Sequence, residues 1–418
     1  MLFVFIPRFT RTQVDLLSLS LYNLKMESKF KITYGGWYQR TTLHLSEIYD
    51  LFALGKSNLD LSKDKLSEFR EKFNFESVTR EAGYFEFVKA KTKNGIEVRY
   101  YEDGLYILET ELDALDRISE AKENLEDYFN QILSPATSYI FSLGAPTPKV
   151  LANIKTVHPV VVSVVQDDPE TFKPAQNEFG SVYSTIKSED IIVHKTPGYI
   201  FVVSSPKSEA VVSELVEMQI FFREFKDQLE KYLNIHRTLW EEISDIKEKR
   251  MLKGREVEPI RAKLDSYQKT ISLISNRINQ MGSYIRTRSS IAKGSSVEDH
   301  LKKLFEFKFE VLTDTLDYIK EIWKMTTDYL SSTIQNIVEI KNQGTSRGIQ
   351  SLQVITSIGV VSGIIGYFSK NELPKFTALG ALYFVLIIAV TWLVNYSISA
   401  LYKNKRYTLK FSERVKDI

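Results

Sequence analysis

The stretch that decides the architecture is IQSLQVITSIGVVSGIIGYFS, KNELPK and FTALGALYFVLIIAVTWLVNYSISALY, which follow one another from Ile349 to Tyr402. The first and third parts contain no charged residue, and the charges of this stretch lie in residues 370–375. A helix needs about 20 consecutive, mostly apolar residues to cross the hydrocarbon core of a bilayer. The pattern therefore predicts two transmembrane helices, 349–369 and 376–402, joined by a short extracytoplasmic loop.

Basic residues on either side of this stretch predict its orientation. Lys341 and Arg347 precede the first predicted span, and the tail after the second one contains Lys403, Lys405, Arg406, Lys410, Arg414 and Lys416. Cytoplasmic segments next to a membrane carry an excess of Lys and Arg. We therefore predict a multi-pass protein of the cell (plasma) membrane with cytoplasmic N- and C-termini and a basic cytoplasmic tail at 403–418.

A long stalk helix is predicted directly upstream, over residues 297–348. Residues 297–342 contain neither Pro nor Gly, and apolar or Thr side chains recur at alternating steps of four and three. The positions of this seam are Phe305, Phe309, Leu312, Leu316, Ile319, Trp323, Thr326, Leu330, Thr333, Ile337 and Ile340. A spacing near 3.5 residues is typical of a coiled coil. So long a helix must pack on neighbouring helices or on copies of itself, and we predict an oligomer.

The residues before the stalk predict a soluble body. Residues 1–205 mix strand and helix patterns and predict an α+β (α/β-like) cytoplasmic domain, with a helix near 112–133 and hairpin turns at Asn94-Gly95 and Asp103-Gly104. The strand candidates are Leu2–Ile6, Tyr84–Lys89, Glu97–Tyr101, Tyr106–Glu109, Val160–Val165 and Tyr199–Ser204. Residues 206–296 predict a charged helical hairpin, with helices near 208–250 and 259–288.

The composition excludes several classes of function. Lys and Arg number 55 against 53 Asp and Glu, so nothing indicates a general nucleic-acid binder, and no nucleic-acid partner is expected. The chain has no cysteine, which excludes disulfides and thiolate metal sites. The five histidines show no metal-ligand spacing, and the sequence contains no phosphate-binding loop or nucleophile elbow. We therefore expect no enzyme, no catalytic residues and no cofactor, and the sequence leaves any metal ligands open.

Two short segments each have a structural and a functional interpretation. Gly35-Gly36-Trp37 fits a hairpin turn better than a ligand-binding loop. Asp167-Asp168-Pro169-Glu170 offers oxygen ligands to a hard cation, but a solvated turn or a helix cap is the favoured interpretation.

The order of the predicted elements resembles the CorA family of magnesium channels. An α/β body, a charged hairpin, a stalk running into the first span, a short loop and a basic tail follow one another as in that family's funnel-shaped members. At the sequence level, Gly363-Ile-Ile-Gly366 and Glu372-Leu373-Pro374 resemble the end of the first span and its loop. The family's span ends in Gly-Met-Asn, whereas this chain has Gly366-Tyr367-Phe368.

The resemblance implies a set of functional residues. The pore-lining positions would be Asn342, Thr345, Gly348, Leu352, Thr356, Gly359 and Gly363, and the selectivity loop would comprise Gly366, Tyr367, Phe368, Glu372 and Pro374. Leu352 would form an apolar constriction that gates by dewetting. The family holds hydrated magnesium on a ring of Asn amide oxygens. Phe368 supplies no such acceptor, which implies altered selectivity.

Three functions remain open at this point. The resemblance implies a homopentameric channel or transporter for divalent metal cations such as Mg²⁺, gated by its cytoplasmic domain, with a divalent cation as permeant or regulatory ion. The second is a membrane effector of a prokaryotic antiviral (CRISPR-type) system, opened by a small-molecule or nucleotide second messenger. The third is a non-conducting coiled-coil protein anchored in the membrane. The expected partners are further copies of the chain and membrane lipid.

Overall fold

A computed structural model describes residues 29–38, 44–144, 159–249 and 251–368, together with scattered positions from 378 to 400 and residues 403–408. The chain divides into two compact units. The first, the body unit, consists of Met1–Lys231 and Arg277–Tyr318. The second, the helical unit, consists of Tyr232–Asn276 and Ile319–Ile418. Each unit is therefore built from two separate segments of the sequence.

A nine-stranded sheet forms the centre of the body unit. The strands are β1 (Lys29–Trp37), β2 (Phe75–Ala82), β3 (Glu86–Thr92), β4 (Glu97–Tyr101), β5 (Leu105–Leu112), β6 (Val160–Val165), β7 (Ser184–Ser188), β8 (Ile191–Lys195) and β9 (Tyr199–Ser204). They lie in the order β2-β3-β4-β5-β1-β6-β9-β8-β7. β6 and β9 run parallel, and the other neighbouring pairs are antiparallel. The predicted α+β class is confirmed for this unit.

Strand prediction from the sequence succeeds where a strand is continuously apolar or is bounded by a Gly turn. The bounds of β4, β6 and β9 coincide with the prediction. Gly95 and Gly104 adopt φ values of 83° and 90°, as the predicted turns on either side of β4 require. Strands β3 and β5 begin or end a few residues from their predicted bounds. The candidate Leu2–Ile6 lies outside the described residues.

The Gly35-Gly36-Trp37 segment lies inside β1, the central strand, so the predicted hairpin turn is wrong. Gly35 and Gly36 pair with Ile107 and Tyr106 of β5. A Cβ atom at Gly36 would lie 2.7 Å from the ring carbon Cζ of Tyr106, and one at Gly35 would lie 2.8 Å from the Tyr106 carbonyl oxygen. Glycine is needed because a neighbouring strand and its side chain approach the backbone closely.

Helices cover one face of the sheet and bury its apolar side chains. They are α1 (Leu45–Leu54), α2 (Lys63–Phe73), α3 (Ile118–Tyr128) and α4 (Ser134–Gly144), with a π-helical turn at Phe129–Leu133 and the short α5 (Gln176–Phe179). Phe30 and Ile32 of β1 belong to this core. The helix predicted near 112–133 begins later, because Leu112 is the last residue of β5 and pairs with Phe30.

Four further helices follow the sheet. They are α6 (Glu209–Lys247), α7 (Gly254–Gly294), α8 (Val297–Phe305) and α9 (Phe309–Phe368), with the short strand β10 (Met251–Lys253) between α6 and α7. The predicted pair of charged helices corresponds to α6 and α7. The single stalk helix predicted from Val297 is wrong, since Glu306 adopts the left-handed conformation, with φ of 60°, and ends α8. The long helix begins instead at Phe309.

The predicted seam is buried within one chain. In the body unit, Phe305, Phe309, Leu312 and Leu316 are at most 7% exposed. In the helical unit, Trp323 contacts the rings of Tyr232 and His236, at centroid distances of 6.5 and 6.2 Å. The remaining seam positions of that unit are also buried, namely Ile319, Thr326, Leu330, Thr333, Ile337 and Ile340. Neighbouring elements of the same chain therefore cover the seam, and oligomerisation stays a prediction that the seam does not test.

The predicted spans fall partly on described residues. The first, 349–369, corresponds to the end of α9. Of the helices in the described part of the chain, none combines the length and the apolar character needed to span a membrane. Apart from scattered positions, the predicted loop 370–375 and second span 376–402 lie outside the described residues. In the tail, residues 406–408 form a strand, β11 (Arg406–Thr408).

Candidate functional site

The predicted pore-lining positions share one side of α9 as far as they are described. Asn342, Thr356, Gly359 and Gly363 are all exposed in the single chain. At 100° per residue, as 3.6 residues per turn requires, these four positions fall within an arc of about 100°. A Cβ atom at Gly359 or Gly363 would meet no atom within 4 Å. Thr345, Gly348 and Leu352 also belong to α9, but their exposure lies outside what the structure describes.

The predicted selectivity residues lie at and beyond the end of α9. Gly366, Tyr367 and Phe368 are its last three residues, and their side chains lie outside the described part. Glu372 and Pro374 also lie outside the described residues. The chain is therefore helical up to Phe368, and the selectivity inferred for this segment stays a prediction.

The residues just before and just after the stretch 349–402, which contains the two uncharged runs, are attached to one short segment of the helical unit. Before the region, Lys341 Nζ donates a hydrogen bond to Glu258 Oε2 of α7 at 2.9 Å. After it, the Gly254 amide donates to the Lys405 carbonyl at 3.0 Å, and β11 pairs with β10 in antiparallel register. Leu252 and Tyr407, which face each other in this pair, are 1% and 6% exposed. Residues on both sides of the stretch 349–402 are thus held beside residues 251–258.

A second arrangement of functional groups lies on the face of the sheet opposite the apolar core. Because side chains alternate along a strand, Phe30 and Ile32 enter the core while Lys29, Lys31 and Thr33 point the other way. Here they line a cleft of about 270 Å³, which we call the charged cleft. Arg99, Glu109, Glu111, Asp113, Ser163, Glu209, Ser213 and Glu217 also line it. The last three lie on one face of α6, since residues three or four apart are neighbours on a helix surface.

Arg99 is the centre of an ion network in this cleft. Its guanidinium donates to Glu109 Oε2 at 2.6 Å and to Glu217 Oε1, and Lys31 Nζ donates to Glu109 Oε1 at 3.3 Å. The side chains of Arg99, Glu109 and Glu217 are 10–13% exposed. Burial by itself would lower the pKa of Arg99, but the charges of Glu217 and Glu109 outweigh it and raise that pKa. Arg99 therefore stays cationic and holds the two carboxylates together.

A second ion pair, deeper in the body unit, joins the β4–β5 turn to α7. Arg288 donates to the Asp103 carboxylate through Nε at 2.7 Å and Nη2 at 2.9 Å, and the two residues are 2% and 0% exposed. The guanidinium carbon lies 4.7 Å from the ring centroid of Phe85 and 5.1 Å from that of Tyr101. Trp37 Nε1 donates to the Asp103 carbonyl at 2.7 Å. This bidentate pair is a structural element rather than a ligand site.

Sequence reasoning missed both ion pairs, although a signal for the cleft was present. Charged residues recur at every second position in Lys29–Lys31, Glu97–Arg99 and Glu109–Glu111, which is the pattern of a polar strand face. Their partners in α6 and α7 carry no such signal. The acidic loop at Asp168 is a cap, as favoured from the sequence, because its carboxylate accepts from the Glu170 amide at 3.1 Å. Among the described residues, no group of three or more His, Asp or Glu could hold a metal ion.

The comparisons with known proteins match the chain to solved structures but not to a sequence family. No protein-family model matches the sequence, and no curated protein matches it. Among solved structures, the chain is similar to the complete structure of the CorA magnesium transporter from Methanocaldococcus jannaschii. The likeness covers 60% of this chain and 92% of that chain, at 10% sequence identity and a TM-score of 0.27. A TM-score of this size does not assign the chain to a family.

Proposed function

We propose that the chain forms an oligomeric membrane channel or transporter for cations, with divalent metal cations such as Mg²⁺ as the leading substrates. The proposal places the described units and both termini on the cytoplasmic side of the cell membrane. Residues 349–369 and 376–402 would cross the bilayer as a helical hairpin. The role is transport rather than catalysis.

This proposal rests on one observation. The residues on both sides of the stretch 349–402 contact residues 251–258. A hairpin of two spans begins and ends on the same side of a membrane, whereas a single span begins and ends on opposite sides. Lys341 and Lys405 contact Glu258 and Gly254, which are four positions apart in one helix. This return of the chain is what two uncharged runs with a short loop between them require. Lys341 and Lys405 would both lie at the cytoplasmic surface, in agreement with the positive-inside rule.

The exposed side of α9 supports a conducting path rather than an anchor alone. Asn342, Thr356, Gly359 and Gly363 are small or polar and exposed in the single chain. Thr356, Gly359 and Gly363 lie within residues 349–369, the segment proposed to cross the bilayer, and Asn342 lies seven residues before it. Small and hydroxyl residues let helices of an oligomer approach and line a polar path. Phe368 has no oxygen to hold hydrated magnesium, so we propose selectivity that differs from an Asn ring.

The absence of cysteine from the chain allows a direct test by cysteine substitution. The purified chain is reconstituted in liposomes, and flux is compared for Mg²⁺, Co²⁺, Ni²⁺, Na⁺ and K⁺. We then measure flux through Thr356→Cys, Gly359→Cys and Gly363→Cys before and after a membrane-impermeant thiol reagent. The reagent is expected to block flux at all three positions, since each faces the proposed path.

Tyr84→Cys is the matched control, because Tyr84 is 70% exposed on the body unit and far from the uncharged runs in sequence. It is expected to react with the reagent while flux is unchanged. Flux of no ion, with every variant correctly inserted, would contradict the channel and favour the membrane anchor. Flux that appears only after addition of a nucleotide would favour the effector function instead.

A further inference from the structure

A separate pocket lies at the β7 edge of the sheet, and we call it the edge pocket. Among the residues that line it are Phe172, Lys173, Val182, Thr185, Ile192 and His194. Ile192 belongs to the apolar core, and His194 points to the same face of the sheet, because side chains alternate along β8. The pocket has a volume of about 600 Å³. Sites for small molecules usually have volumes of about 300–1,000 Å³, so the edge pocket is large enough for a small ligand.

His194 brings an unpaired polar atom to this pocket. The residue is 8% exposed, and its Nδ1 lies 2.9 Å from Thr185 Oγ1. Its other ring nitrogen, Nε2, is buried and has no hydrogen-bond partner among the described residues. Burial lowers the pKa of His194, so the ring is neutral at pH 7 and Nε2 either donates or accepts one hydrogen bond. Buried polar atoms normally have a partner, and a ligand in the edge pocket would supply one.

The walls of the edge pocket favour an aromatic ring. Phe172 is 7% exposed, and its ring centroid lies 6.2 Å from that of His194. Val182 is apolar but 38% exposed. Aromatic rings pair favourably at centroid distances of about 4.5–7 Å. A planar ring that packs against Phe172 and covers Val182 would therefore remove apolar surface from water and gain ring contacts.

The charge at the edge pocket favours an anion. Lys187 and Glu170, which also line the pocket, are paired with each other through the Lys187 ammonium group and the Glu170 carboxylate. Lys173 is exposed and makes no ion pair within the part of the chain that the structure describes. The unpaired charge beside the pocket is therefore positive, which attracts an anion.

We propose that the edge pocket binds a small aromatic carboxylate that carries a hydroxyl group on its ring. The ring would pack against Phe172 and Val182. The hydroxyl would pair with His194 Nε2, and a phenol suits this position because it can donate or accept. The carboxylate would bind Lys173. This binding does not depend on the proposed membrane function, because every residue involved lies in the body unit.

The test uses isothermal titration calorimetry on the whole 418-residue chain with 4-hydroxyphenylacetate as the probe. Binding is expected with a stoichiometry of one per chain. Phenylacetate, which lacks the hydroxyl, should bind about tenfold more weakly, because it leaves Nε2 unpaired. In His194→Phe that difference should disappear, so the two acids should bind equally. Lys173→Met should weaken both acids about threefold, since an exposed ion pair contributes little.

Lys207→Met is the matched control, since Lys207 is an exposed cation of the body unit outside the pocket lining. Its affinity for both acids is expected to equal that of the parent chain, and circular dichroism of each variant verifies folding. The comparison of the two acids on the parent chain needs no variant. The proposal is overturned if millimolar 4-hydroxyphenylacetate does not bind, or if the parent chain binds phenylacetate equally well. It is also overturned if folded His194→Phe still prefers the hydroxylated acid tenfold, or if Lys173→Met binds both acids as well as Lys207→Met does.

Discussion

Removing one partner of the Asp103–Arg288 pair should open the body unit locally. In Arg288→Met, the long apolar side chain fills much of the guanidinium's space while the charge is lost. The Asp103 carboxylate, 0% exposed, then keeps one hydrogen bond, from the Leu105 amide at 3.2 Å. A buried carboxylate without a counter-charge is strongly unfavourable, and breaking such a pair typically costs about 3–5 kcal/mol.

The expected size follows from the contacts that are lost. Two short charge-assisted hydrogen bonds, at 2.7 and 2.9 Å, disappear together with the stacking of the guanidinium on Phe85 and Tyr101. Since 1.4 kcal/mol corresponds to a factor of ten, a loss of about 3–5 kcal/mol raises the population of the open state by about 10²–10³·⁵. Arg288→Lys keeps the charge but loses the bidentate geometry, so its effect should be intermediate.

Hydrogen exchange measured by mass spectrometry is the suitable assay, because two compact units need not unfold as one cooperative transition. Amide exchange in β4 and β5 should accelerate by about 10²-fold or more in Arg288→Met. Arg286→Met is the control, since Arg286 is exposed on the same helix and should change local stability by less than about 0.5 kcal/mol. Equal exchange rates in the two variants would refute the idea that this pair holds the β4–β5 turn.

Three further predictions concern the body unit. Gly36→Ala should cost about 1–3 kcal/mol of stability through its clash with Tyr106. Gly198→Ala, where a Cβ atom meets nothing within 4 Å, should cost less than about 0.5 kcal/mol. Equal melting temperatures of the Gly36→Ala and Gly198→Ala variants would contradict this expectation. Burial lowers the pKa of His194 in the folded state. As pH falls, the unfolded chain therefore takes up a proton at this residue at a higher pH than the folded chain does, and stability should decrease below about pH 6.5. His194→Gln should reduce that slope in thermal melts between pH 7 and 5, and an unchanged slope would contradict it. Arg99→Met should lower the free energy of unfolding measured by urea titration by about 3 kcal/mol, since two carboxylates lose their shared cation. The control Arg80→Met, which breaks an ion pair about half exposed, should cost less than about 1 kcal/mol, and equal losses would argue against a special role for Arg99.

Features that depend on local periodicity could be predicted from the sequence. The bounds of β4, β6 and β9, the two glycine turns and the pair of long helices all follow from patterns within one segment. The seam from Phe305 to Ile340 was predicted position by position, because burial every 3.5 residues leaves a direct record in the sequence. The two uncharged runs likewise come from composition alone.

Contacts between residues far apart in the sequence could not be predicted, because they depend on how the whole chain packs. Arg288 is 185 positions from Asp103, and Glu217 is 118 positions from Arg99, so no local pattern relates them. The same holds for Gly35 and Gly36, whose role depends on Tyr106 in a neighbouring strand. The charged cleft has a polar strand pattern in the sequence, but the cleft itself exists because residues of β6 and α6 line it together with residues of β1 and β5. Periodicity shows which side of an element is buried, whereas the partner that buries it is fixed by the global packing of the chain.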